Sequence, residues 1–159
     1  MIGHLAHFFQ RRNTILVLQA GAVLLLVSSV FTWVSVSGGE AAVALSGAEM
    51  TTLVRTIGVI GVGGGVLVTI ARRWVRGVLG AVLLGGGLIA LVAALVALID
   101  PAGAAAPALS RMGADGQVFT SGFGLWAGLI GSLVLMGGAL GVLLFSPGWE
   151  DEGPGGSAR

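Results

Sequence analysis

Residues 77–99 and 123–145 are each 23 residues long and contain no ionisable side chain. A helix rises 1.5 Å per residue, so each stretch reaches past the roughly 30 Å of hydrocarbon in a bilayer, and neither has the length of a buried helix in a soluble core. Two further apolar stretches share this character. Residues 14–34 carry no charge; residues 53–71 carry one, Arg55, close to their start, and stop at Arg72 and Arg73. Of the 159 residues, 55% are hydrophobic and only 9% charged, with mean hydropathy +1.01, against about 25% charged in soluble domains. The reading is an all-α membrane protein, a bundle of four transmembrane helices. Its domains are an amphipathic N-terminal segment at 1–13, a transmembrane domain at 14–145 (14–34, 53–71, 77–99, 123–145) and an acidic tail at 146–159.

The first span also invites a signal-peptide reading, because Arg11 and Arg12 precede it. An h-region covers roughly 7 to 15 residues, and the small-residue triplet at 42–44 lies well beyond this longer run, which favours a retained anchor. Orientation follows from arginine in short loops. Arg11 and Arg12 precede the first span and Arg72, Arg73 and Arg76 link the second and third. The other side holds Arg55 and Arg111 against Glu40, Glu49, Asp100 and Asp115. Both termini are therefore expected in the cytoplasm, the chain being multi-pass in a bacterial cytoplasmic membrane. The tryptophans give the same map, with Trp33 and Trp126 expected at the outer interface and Trp74 and Trp149 at the inner one.

Outside the spans, Ile2, Leu5, Phe8 and Phe9 fall on one side of a helical wheel, as in a short helix lying in the inner leaflet. Residues 33–37 and 40–46 alternate apolar and polar around Gly38 and Gly39, the signature of a β-hairpin. A lone hairpin is marginal in water, and residues 117–120 offer a third strand; an irregular loop is the alternative. Asp100-Pro101 and the following Gly-Ala-Ala-Ala-Pro read as a mobile connector. The tail after Pro147 holds Glu150, Asp151 and Glu152 followed by Gly, Pro and Ser, a disordered composition.

Apolar burial does not drive helices together within lipid, so close backbone approach must. Small residues four apart supply it at Gly61/Gly65, Gly77/Ala81/Gly85, Gly86/Ala90/Ala94, Gly124/Gly128/Ser132 and Gly137/Gly141, which places the seams on spans two to four. The glycine triplets at 63–65 and 85–87 could instead break their helices around a binding site, as in transporters.

Little in the sequence can carry chemistry. There is no Cys, Tyr or Lys, so thiol catalysis, thiolate metal sites and Schiff-base chemistry are excluded. His4 and His7 have no third ligand beside them, so no metal is expected, and neither a catalytic residue nor a cofactor site is indicated. The basic residues are thinly spread arginines in a net charge of +1, which argues against nucleic acid. An ionisable group within a span is by default a functional candidate, and Arg55 is the one present. It either snorkels to the headgroups or pairs with Glu49 or Glu40, or else it holds an anionic ligand or lipid. Gln19 is expected to hydrogen-bond across a helix seam. Arg55, Glu49 and Gln19 are thus the candidate ligand or lipid contacts.

A double arginine, a first helix ending at Trp33, a Ser/Val alternation, Leu45-Ser46-Gly47 before the second helix, an arginine-rich turn and a fourth helix led by Trp126 together resemble the actinobacterial tryptophan-biosynthesis-associated membrane proteins. The resemblance covers most of residues 11–149. The end departs from it, since three acids follow Trp149 where the family tends to a basic, aromatic end. That family is named for gene neighbourhood, so the resemblance implies a four-helix membrane protein and no activity. The function expected is that of a non-enzymatic accessory or assembly partner of a membrane complex. The alternative is a small oligomeric transporter or permease component for a small metabolite, an aromatic one included. The partners expected are the lipid bilayer and either a membrane protein or further copies of the chain.

Overall fold

The computed structural model describes residues 11–38, 42–114, 116–145 and 149. Four of its helices are long and apolar enough to cross a membrane. They are α1 (Arg11–Val30), α3 (Thr52–Ile70), α4 (Arg73–Ile99) and α6 (Phe123–Phe145). Between α1 and α3 lie strand β1 (Thr32–Ser37), strand β2 (Val43–Ser46) and the single turn α2 (Gly47–Met50). Between α4 and α6 lie α5 (Pro101–Met112) and strand β3 (Val118–Ser121). Helix α1 packs on α3 and α6, and α4 packs on α6 and α3, so the four form a closed ring.

The strands form one antiparallel sheet in the order β2-β1-β3. In β1, Ser35 pairs with Ala44 on one side and with Thr120 on the other. The ladder slips between Thr32 and Val34, and Gly38 leaves β1 with φ +95°, a conformation that favours glycine. The expected hairpin and third strand are therefore both present. The first span is shorter than its charge-free run suggests: the helix ends at Val30, and Trp33 and Val34, assigned to the span by hydropathy, lie in β1. Ser28 and Ser29 turn their hydroxyls back onto the carbonyls of Leu25 and Leu26, at 2.8 and 2.7 Å. The indole N–H of Trp33 then takes the Ser28 carbonyl at 2.9 Å, so a carbonyl left over at the helix end is satisfied from the sheet.

The segment after Asp100, read as a mobile connector, is a helix. Asp100 caps it by accepting from Gly103 N–H at 2.9 Å, and Pro101 sits where its missing N–H is not needed. Alanine carries the helix forward, and Gly113 ends it in the left-handed conformation, φ +63°. Ala105, Ala108 and Leu109 face the core, so the two prolines punctuate a helix rather than a loop.

The glycine triplets do not break their helices, as α3 and α4 run unbroken through residues 63–65 and 85–87. The seams also differ from expectation, because the first span is central to them. At Gly138 of α6 an added Cβ would lie 2.6 Å from Leu18 Cα, and at Gly131 3.0 Å from Leu25 N; at Gly21 of α1 it would run into the backbone of Leu135. Helices α1 and α6 thus meet backbone to backbone. Gly61 and Gly65 do serve the α1–α3 seam, facing Ala22 and Gln19, whereas Gly77, Gly85 and Gly137 face open space. Four-residue spacing found packed faces at Gly86/Ala90/Ala94 and Gly124/Gly128/Ser132 as well, where Gly86 meets Ile57 and Gly128 meets Trp33, but it did not separate them from the outward-facing glycines. Outward-facing Val59, Ile60, Val82, Ile89, Ile130 and Leu133 leave the ring with an apolar exterior.

Candidate functional site

Arg55 lies in the first turns of α3, where Thr51 caps the helix by accepting from Leu53 N–H. Its side chain is exposed and borders a groove of about 530 Å³ between α1 and the segment leading into α3. Leu26, Val27 and Val30 form the apolar wall, and Ser29, Ser46 and Ala48 the remainder. No carboxylate among the described residues lies within ion-pair distance of Arg55; Glu40, one of the two partners expected for it, falls outside those residues.

Glu49, the other expected partner, is engaged elsewhere. Its carboxylate accepts from both the N–H and the hydroxyl of Ser46, each at 2.7 Å, while its own N–H donates to the Ser46 hydroxyl oxygen at 3.3 Å. This reciprocal capping box starts α2. The two donors from Ser46, backbone first and then hydroxyl, hold the Glu49 carboxyl below the usual carboxylate range, against a small opposing effect of burial. The Glu49 carbonyl accepts from Arg111 Nη2 at 2.9 Å, which ties α5 to the turn before α3.

Gln19 lies half-buried on α1 and donates from Nε2 to the Val62 carbonyl of α3 at 3.2 Å, the hydrogen bond across a seam that its position suggested. An added Cβ at Gly65 would come within 2.5 Å of that amide nitrogen, so the bond depends on glycine there. The structure therefore does not gather the three candidates into one site: Arg55 borders the groove, Glu49 builds a cap, and Gln19 closes a seam.

Deeper in the ring, the buried hydroxyls of Ser28 and Ser132 each bond a carbonyl of their own helix, Ser132 to Gly128 at 2.7 Å. Among the described residues no three of His, Cys, Asp and Glu come together in a way that could hold a metal ion. His4, His7 and the acidic tail lie outside those residues. What the arrangement offers chemically is a guanidinium over an aliphatic cleft, suited to an anionic amphiphile.

Two tryptophans are not where an interface marker belongs. Trp74 and Trp126 are exposed, but Trp33 is 1% and Trp149 6% exposed, both packed inside the protein. Trp33 wedges against Gly47 and Gly128, where added Cβ atoms would stand 2.5 and 3.0 Å from its ring. Residue type alone does not separate an indole at a headgroup from one in a core.

Four apolar spanning helices, a closed ring with an apolar exterior and a small sheet across one end define a multi-pass α-helical membrane protein. The family model for the tryptophan-associated transmembrane protein matches residues 15–155, and the chain belongs to that family. No curated protein and no solved structure matches it.

Proposed function

We propose that this chain is a non-enzymatic accessory or assembly partner of a complex in the bacterial cytoplasmic membrane, with its termini and the α3–α4 turn on the cytoplasmic side and the sheet outside. The observation that carries the reading is the closed interior of the ring. Helices α1 and α6 touch through backbone at Gly21, Gly131 and Gly138, and the buried serines satisfy their hydroxyls within their own helices. A permeation path for a polar solute needs polar groups spaced along the interior to coordinate it, and among the described residues the buried polar atoms left without a partner are confined to Arg76, at the start of α4, and Trp149 against it. The orientation rests on the distribution of arginine between the two ends. Arg55 and its groove serve as a contact for an anionic lipid or a partner's carboxylate on the sheet side.

Purification of the full chain from its native membrane in mild detergent tests the reading. A larger partner at fixed stoichiometry is the expected result. A homo-oligomer whose melting temperature rises with an added aromatic metabolite would replace it with the transport reading. Arg55→Ala is expected to weaken partner or lipid retention while leaving the stability within about 0.5 kcal/mol of the parent, since the side chain is exposed.

A further inference from the structure

Three buried side-chain nitrogens lack a hydrogen-bond partner among the described residues: Nε and Nη1 of Arg76 and Nε1 of Trp149. All three are donors, and they belong to two side chains in contact, the Arg76 guanidinium carbon lying 5.7 Å from the centre of the Trp149 ring. Arg76 is 9% exposed and Trp149 6%. A guanidinium buried to this extent is costly unless an acceptor meets it, and stacking on an indole offsets only part of that cost.

The local backbone adds to the same deficit. Arg76 belongs to the first turn of α4, and side chains on a helix tilt as a rule toward its start. There Arg72 occupies the cap position with no side-chain hydrogen bond, so the N–H groups of the first turn receive no side-chain cap. The side chains of Arg72 and Arg73 are exposed beside them. Unpartnered donors, a positive helix end and the arginines at 72, 73 and 76 fall together at the start of a helix long and apolar enough to cross a membrane, and lipid phosphates lie at the ends of such helices.

We propose that the first turn of α4, with Arg72, Arg73, Arg76 and the indole of Trp149, binds a phosphate group, carried by an anionic phospholipid or by a soluble phosphate. Arg76 presents two of its donors to the phosphate oxygens, Trp149 donates a third hydrogen bond, and Arg72 and Arg73 draw in the charge from outside. This holds whichever side of the membrane the turn faces, and does not depend on the accessory role.

The test uses the full chain in detergent, with native mass spectrometry against phosphatidylglycerol and phosphatidylcholine of matched acyl chains, and melting curves in inorganic phosphate. Retention of phosphatidylglycerol is expected to exceed that of phosphatidylcholine by about tenfold. The preference is expected to be lost in Arg76→Met, to be reduced in Arg76→Lys and in the Arg72→Gln/Arg73→Gln pair, and to persist in Arg111→Gln, which removes the same charge at the far end of α5. The exposed pair keeps the test readable if Arg76→Met fails to fold. Stabilisation by millimolar inorganic phosphate that displaces the lipid supports the site with a soluble occupant. Equal retention of the two lipids with no response to phosphate overturns the proposal. So does phosphatidylglycerol binding that emerges only after Glu150→Gln, Asp151→Asn and Glu152→Gln, because the tail would then be the native occupant.

Discussion

Trp33 joins the two halves of this molecule. Its ring fills the space beneath the sheet against Gly47 of α2 and Gly128 of α6, and its N–H ends α1 by taking the Ser28 carbonyl. Trp33→Ala is expected to lower stability by about 3–5 kcal/mol through the cavity it leaves. Trp33→Phe is expected to cost about 1–2 kcal/mol, chiefly from the buried carbonyl left without its donor. Thermal unfolding in detergent, followed by tryptophan fluorescence and circular dichroism, distinguishes the two. Glu49 makes a smaller contribution with a definite pH signature. Its carboxyl is held low in the folded chain by the two donors of Ser46, so its stabilisation is present in full above the ordinary carboxylate value and lost as pH falls through the lowered one. Melting temperature is expected to fall on acidification below the usual carboxylate range, and Glu49→Gln is expected to flatten that dependence. The Ser46-Gly47-Ala48-Glu49 pattern is legible as a capping box in the bare sequence. Reading Glu49 as a partner for Arg55 failed because a carboxylate three residues after a serine at a helix start is taken locally, at short range and low entropic cost.

Among the elements, α1 and α6 decide how tightly the ring closes. With lipid on every outer face, contact between helices depends on backbone approach and dispersion rather than on removing apolar surface from water. Gly138→Leu is expected to destabilise the bundle by about 1–3 kcal/mol or more, because the new side chain meets the Leu18 backbone and not a flexible chain end. Its neighbour substitution Gly137→Leu faces open space and is expected to leave stability unchanged within about 0.5 kcal/mol. Paired melting curves of the two variants isolate the seam from any general effect of removing glycine. Helix α5 shows how local signals can mislead: Pro101, Gly103 and Pro107 looked like linker residues, yet Asp100 as cap, Pro101 at the first helical position and the alanines between them satisfy the rules for a helix start. Proline opens helices as readily as it ends them, so its position relative to a capping residue carries the information.

At the scale of the molecule, the described residues form a ring of four spans with a sheet at one end and an arginine-rich turn at the other. Single cysteines can report on that arrangement because the natural sequence has none. Cysteine at Ser37, exposed in β1, and at Ala71, between α3 and α4, are expected to react with a membrane-impermeant maleimide from opposite sides, Ser37 from outside intact cells and Ala71 only after permeabilisation. Labelling of both from one side would contradict the orientation proposed for the spans. Length, charge and hydropathy alone determined that the chain has four membrane-spanning helices, because transferring charge into hydrocarbon is costly enough to be read residue by residue. Period-two alternation around Gly38 offered the sheet beside an irregular loop, and the tertiary structure decided for the sheet. Which glycines face a neighbour, that Trp33 and Trp149 are packed inside, and that Arg76 is buried with donors unspent depend on the rotation of each helix about its axis. That rotation is set by contacts between residues far apart in the chain, as where Gly138 meets Leu18 or Trp149 meets Arg76, and no local pattern encodes it.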